Sequence, residues 1–245
     1  MDDHKVTSLI SMAGVANGVF HGPQPADANA VGAFISGFGA AVVPPSVFDL
    51  TKFSLADLNG TFQYAIDVFA RDHPEAQNYA QFNHARSPVK VPWTTTNKFL
   101  PVINNINECK GDAKCVRDQQ RRRANYLKLK SAHYFGSSSD GIISPWQSSI
   151  LGQYNELASV EELKTSKFSE MHVIDMKETT EYKEDTYGLK TLDKRGGLFR
   201  HPVDGIPHNC WVDDVAPGCT FKQVYDQYVY PVLADACAKP IGKKQ

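Results

Sequence analysis

Two short runs suited to a β-sheet stand far apart in this chain. Val6-Thr7-Ser8-Leu9-Ile10-Ser11 opens almost at the first residue, is β-branched at its start and reads as a buried strand. The next such run, Tyr126 to Phe135, follows only after roughly 100 residues, too long an interval for a simple connecting loop. Prolines recur through the interval, from Pro23 and Pro25 to Pro92 and Pro101. Helical candidates within it are Ala26 to Gly39, Ser54 to Arg71 and Asn97 to Asn107. Along the second, Leu55, Leu58, Phe62, Ala65, Ile66 and Phe69 repeat at helical spacing, with Thr51 or Ser54 placed to cap it. Residues 13–125 are therefore expected to form a mainly helical insertion between 1–12 and 126–245. A parallel central strand needs neighbours, and the first run has none upstream within this sequence.

After Phe135 a glycine-serine turn, Gly136 to Ser139, leads into Asp140-Gly141-Ile142-Ile143-Ser144-Pro145-Trp146-Gln147-Ser148-Ser149. An aspartate leaving a strand through such a turn is a carboxylate held at a sheet edge. Trp146 to Leu157 reads as helical, Met171 to Met176 as a short strand, and Glu178 to Lys190 as an exposed helix or turn. Gly197 to Val203 reads as the last strand. It precedes Gly205-Ile206-Pro207-His208-Asn209 and a closing helix, Phe221 to Leu233. Asp before His, each on a loop after a strand, is the second half of the Ser, Asp, His order in which an α/β-hydrolase carries its triad. No Gly-x-Ser-x-Gly occurs in the 245 residues.

Charge is nearly balanced, at −1, so nothing global points to nucleic acid or to an anionic membrane surface. Arg121-Arg122-Arg123 is the one basic cluster, and without interleaved aromatics it reads as a solvated helix face. The most apolar stretch, Ala30 to Pro45, holds three glycines and falls short of the roughly 20 residues a membrane span needs. It is a core helix or the wall of an apolar pocket. Five cysteines are present, none in a C-x-x-C, so zinc and thioredoxin readings are weak and no metal or cofactor is expected. Cys109 with Cys115, and Cys210 with Cys219, each bracket a polar glycine-containing loop that a disulfide could close; five reduced thiols are the alternative. Asn59-Gly60-Thr61 is a glycosylation sequon. Met1 to Lys5 is acidic and polar where a signal peptide would be basic.

Several of these segments resemble the palmitoyl-protein thioesterases, in particular the branch called lysosomal thioesterase type two. Asp140 to Ser149 resembles the acid loop of that family, and Asp185 to Leu192 with Arg195-Gly196 a second motif. Gly205 to His208, Trp211 and the tyrosine-rich helix ending at Pro231-Val232-Leu233 resemble the histidine loop and C-terminal helix. Asp72-His73-Pro74 and Phe99-Leu100-x-x-Ile103-Asn104 are similar to family positions in the insertion. The likeness is good from Tyr126 to Leu233, patchy from Asp72 to Asn107 and poor from His21 to Arg71; the Cys109–Cys115 segment has no counterpart.

The resemblance implies an α/β fold of α/β-hydrolase type, incomplete at its N-terminus, with a helical acyl-binding insertion. Val6 to Ser11 then falls where the family has the strand after the nucleophile helix, and Met1 reads as an internal methionine of a longer protein. It implies hydrolysis of long-chain acyl thioesters, S-acylated protein or acyl-CoA, in a lysosomal or secretory compartment. His208 would be the base, Asp140 would hold its tautomer, and the nucleophilic serine would lie outside the sequence. Ser36 and Ser139 fail the glycine spacing of an elbow, and no cysteine falls on a strand-to-helix turn. Phe20-His21-Gly22 resembles the oxyanion turn of other hydrolases, but the elbow which that turn requires downstream does not follow. With the serine missing, a non-catalytic protein that binds acyl chains or a partner is the alternative.

Overall fold

A computed structural model describes residues 4–58, 60–214 and 218–238, so the sequon asparagine, Asn59, lies outside the described residues. Among the described residues five strands form: β1 Ser8–Met12, β2 Ser131–Gly136, β3 Gln153–Tyr154, β4 Val173–Ile174 and β5 Leu198–Pro202. β1, β2 and β5 make a parallel sheet with β2 in the middle, and β3 pairs antiparallel with β4. Leu9 stands opposite Ala132, and Phe135 opposite His201. Among the described residues no strand pairs with the other edge of β1.

Alternation along β2 sends its side chains to two cores. Ala132 and Tyr134 pack with Leu151, Met176, Leu189 and Leu192. Phe135 packs on the opposite side with Ile206, Trp211, Val224 and Val229. A third core belongs to the helical stretch between β1 and β2, where Phe34, Phe48, Phe62 and Phe82 gather around Val31, Val43 and Ile66. The mixed helices and parallel sheet are those of an α/β protein.

Several expected elements take other forms. The helix expected over Ala26 to Gly39 is Pro25–Ala33, continuing through a π-helical turn, Phe34–Phe38, into Gly39–Val42. Neither Thr51 nor Ser54 caps the next helix, because Asp49 and Asp57 draw their amides into separate short turns. Gly60, at φ +98°, breaks the chain there, and the helix is Thr61–Asp72. Asn97 to Asn107 yields only Leu100–Ile103: the Asn97 side chain accepts the Phe99 and Leu100 amides ahead of it, and Asn105 sits at φ +56° behind it. Tyr126 to Leu129 are not strand; Tyr126 ends the helix Ala113–Tyr126, and the next three amides bond back onto that helix end. Trp146 to Leu157 is a single tight turn, Trp146–Ile150, followed by β3, since Leu151 turns left-handed at φ +73°.

The arginine run also departs from expectation. The helix that carries it has no fully buried residue, and polar links add to the packing of Tyr126 on Tyr187 and to the Cys109–Cys115 bridge in holding it down. Arg122 donates to Asn105 Oδ1 at 2.7 Å, and Arg123 pairs with Asp185. Glu181, within a segment expected to be exposed, is fully buried and pairs with Arg86 at 2.7 Å. Both bracketed cysteine pairs are disulfides, Cys109–Cys115 and Cys210–Cys219. No helix among the described residues is long and apolar enough to cross a membrane.

Candidate active site

The ends of β2 and β5 deliver Asp140 and His208 to one place. Val203 N donates to Gly136 O at 2.9 Å, extending the parallel pairing past the strand ends. Ser137, wholly buried, then accepts two amides on its hydroxyl, Ser139 N and Ile206 N, both at 3.1 Å. His208 N donates to Asp140 O at 3.0 Å. One buried hydroxyl and two backbone contacts thus fix the spacing of the two loops before either functional side chain is considered.

Gly141 takes φ +70°, where a glycine carries no Cβ penalty. The chain reverses there and aims the amides of Ile142 and Ile143 at Asp140 Oδ1, at 3.1 and 2.8 Å. The carboxylate is 1% exposed, and both of its oxygens have a hydrogen-bond partner. Its remaining partner is His208, whose Nδ1 lies 3.0 Å from both oxygens. A carboxylate only accepts, so Nδ1 carries a hydrogen and Nε2 holds the free lone pair of the neutral ring. The hydrogen bond to Asp140 raises the His208 pKa above its ordinary 6.5, against the opposing effect of partial burial. The imidazole side chain is 38% exposed. Cys210–Cys219 and the buried ring of Trp211 anchor the turn His208–Trp211 from behind.

No hydroxyl or thiol among the described residues bonds to His208. Ser36 spends its hydroxyl on Gly32 O inside its own helix. The Phe20-His21-Gly22 segment is not idle, however. Phe20 N donates to Ser144 O at 2.7 Å and Ser144 Oγ returns a bond to Phe20 O at 2.8 Å, tying that segment to the acid loop. His21 N donates to Gln63 Oε1 at 2.9 Å, and its ring lies against Phe34 and Phe62. Desolvation there pushes His21 down to about 4, so the ring is neutral, and its Nδ1 has no partner.

Beside the acid loop is a cavity of about 180 Å³. Ile142 and Ile143, the residues whose amides hold Asp140, form one wall; Ala30, Phe34, Phe48 and Phe82 of the helical stretch form others. Part of the apolar stretch Ala30 to Pro45 is thus both core and cavity wall. His21 and Gln63 are polar groups on the same lining. Two features of the site were not anticipated from sequence: the Ser137 clamp and these polar groups. A serine directly after a strand is a weak signal for a hydroxyl that accepts loop amides. Among the described residues no three His, Cys, Asp or Glu side chains gather to hold a metal ion. What remains is an imidazole with a free basic nitrogen, a fixed carboxylate behind it and an apolar recess alongside.

Residues 1–208 match the family model described as palmitoyl protein thioesterase. The chain is 33% identical over 113 residues to lysosomal thioesterase PPT2-B of Xenopus laevis, a stretch covering 46% of this chain and 32% of that protein. It is 32% identical over 112 residues to lysosomal thioesterase PPT2 of Mus musculus, covering 46% of this chain and 30% of that protein. It is 36% identical over 89 residues to lysosomal thioesterase PPT2 of Homo sapiens, covering 36% of this chain and 25% of that protein. The matched stretch is thus no more than about a third of the length of each of these relatives.

Proposed function

Because the chain belongs to the palmitoyl protein thioesterase family, we propose that Asp140 and His208 are the acid and the base of an acyl thioester hydrolase. They are two of the three groups of a Ser-Asp-His triad. The observation that carries this is the contact of His208 Nδ1 with both Asp140 oxygens, 3.0 Å each, beside an apolar cavity. A serine hydroxyl attacks the thioester carbonyl and passes its proton to His208 Nε2. The thiolate leaves with that proton, and His208 then draws a proton from the water that releases the fatty acid. Asp140 fixes the tautomer and stabilises the imidazolium without taking the proton itself.

The substrate class in this reading is a long-chain acyl thioester, S-acylated protein or acyl-CoA, whose hydrocarbon lies in the Ile142–Phe34 cavity. The helical stretch 13–125 serves as the insertion that builds this recess, and 1–12 with 126–245 as the hydrolase core. No metal or cofactor takes part. The compartment is lysosomal or secretory, which the two disulfides suit.

The absence of any Gly-x-Ser-x-Gly in the sequence favours a second reading. In it the protein is a hydrolase-like binder of acyl chains or of a partner, with no turnover of its own. Palmitoyl-CoA hydrolysis separates the two. The 245-residue chain alone is expected to show no triad-dependent turnover. The same chain joined at its N-terminus to a segment carrying a Gly-x-Ser-x-Gly turn is expected to hydrolyse the thioester and to lose roughly 10³-fold or more on His208→Ala. Turnover by the joined chain that survives His208→Ala would reject His208 as the base. Turnover by the chain alone would place a nucleophile inside it.

A further inference from the structure

A second cavity, of about 510 Å³, shares a wall with the one beside the acid loop. Phe82 and Ala85 line both. Gln63 lines the first and donates to Asp67 Oδ1 at 3.0 Å, and Asp67 lines the second. A single layer of side chains therefore separates the two spaces. Beyond that layer Trp93, Val89, Leu157 and Val160 give the second space an apolar wall, with Ala158 beside them and the charged Arg71, Lys90, Glu156 and Glu161 also on its lining.

Volume makes the division matter. At about 30 Å³ for each water-sized group, a size close to that of a methylene, the 180 Å³ cavity holds about six. A palmitoyl chain is well over twice that long. Phe82 is held by ring packing against Phe48 and Phe69, with centroids 5.9 and 5.3 Å away. Phe82 is buried within that aromatic core, so a chain passing from one space to the other has to displace its ring.

We infer that Phe82 and Ala85 divide one acyl channel into two chambers, so that chains too long for the first continue into the second, against Trp93. The inference rests on the acyl thioesterase reading above. It makes Phe82 and Ala85 chain-length determinants and the second chamber the site of the distal half of a long acyl chain.

Octanoate and palmitate, titrated into the full 245-residue chain by calorimetry and by tryptophan emission, test this. Palmitate is expected to bind at least about tenfold more tightly than octanoate. Only palmitate should shift the emission, and Trp93→Phe should abolish that shift. Ala158→Phe, at an exposed position on the second chamber, narrows it without disturbing a core. It should remove the palmitate advantage and leave octanoate binding unchanged. A palmitate advantage that survives Ala158→Phe, with no Trp93-dependent emission shift, would overturn the two-chamber inference and leave the acyl reading standing. Binding of neither fatty acid would overturn both.

Discussion

Asp140 accepts from three donors, the amides of Ile142 and Ile143 and the ring of His208. Removing that carboxylate leaves the amides of Ile142 and Ile143 without their acceptor, and each stranded buried donor costs about 1–3 kcal/mol. Asp140→Ala is therefore expected to destabilise the fold by about 2–4 kcal/mol, read as a lower urea midpoint at unchanged slope. Asp140→Asn keeps an acceptor oxygen and should cost less. A neutral effect of Asp140→Ala would mean that the loop holds its shape without the carboxylate. The sequence pointed to both members of this pair, because the acid-loop and histidine-loop segments are distinctive around Asp140 and His208. It did not point to Ser137. A serine in a turn reads the same whether its hydroxyl meets water or, as here, accepts the Ser139 and Ile206 amides. Nor did it assign the role of His21, whose neutrality follows from the Phe34 and Phe62 rings brought to it by distant segments.

At the scale of elements, the strands with continuous apolar character were legible, and the short helices and turns were not. β5 falls within the run that pattern alone selects, and β1 and β2 overlap theirs, each ending one residue beyond it. Trp146 to Leu157 misled because tight turns and helices share local preferences, and what ends the turn is the left-handed backbone of Leu151, a residue type that gives no sequence mark of a turn. Glu181 misled because its burial depends on Arg86, nearly a hundred positions away and supplied by the fold. Gly60 shows the reverse case, a residue whose type the structure requires. It sits at φ +98° at the start of the helix Thr61–Asp72, and a Cβ built there collides with the Leu163 carbonyl oxygen. Gly60→Ala is expected to cost about 2 kcal/mol or more, through backbone strain and that clash together, measured by denaturant unfolding. Wild-type stability in Gly60→Ala would show that the Leu163 turn gives way freely.

Across the whole molecule, buried titratable groups set how stability follows pH. Desolvation raises Asp67 to about 7, even with Ser87 and Gln63 donating to it. The folded state thus holds that proton more tightly than the unfolded chain, so stability falls as pH rises from about 4 to about 7. His208, raised by Asp140, contributes stability that is full below 6.5 and lost as pH rises through its folded value. His21, lowered to about 4, acts the other way: the unfolded chain takes up its proton first, so stability falls as pH drops from 6.5 toward 4. Asp67→Asn removes the first effect. It should raise the melting temperature near pH 8, about one pH unit above the Asp67 value, and change it little near pH 5. An equal shift at both pH values would mean that Asp67 is not protonated in the fold at the lower one. The same long-range packing that sets these values hides them from sequence, where Asp67 is only one more polar position on an amphipathic helix. The account depends most on Asp140 and His208 acting as one pair. Nuclear magnetic resonance titration of the His208 ring, in the wild type and in Asp140→Asn, tests this most directly. The account predicts a pKa above 6.5 in the wild type and a lower one in the variant, where the carboxylate charge no longer favours the imidazolium. Equal values in the two proteins would contradict it.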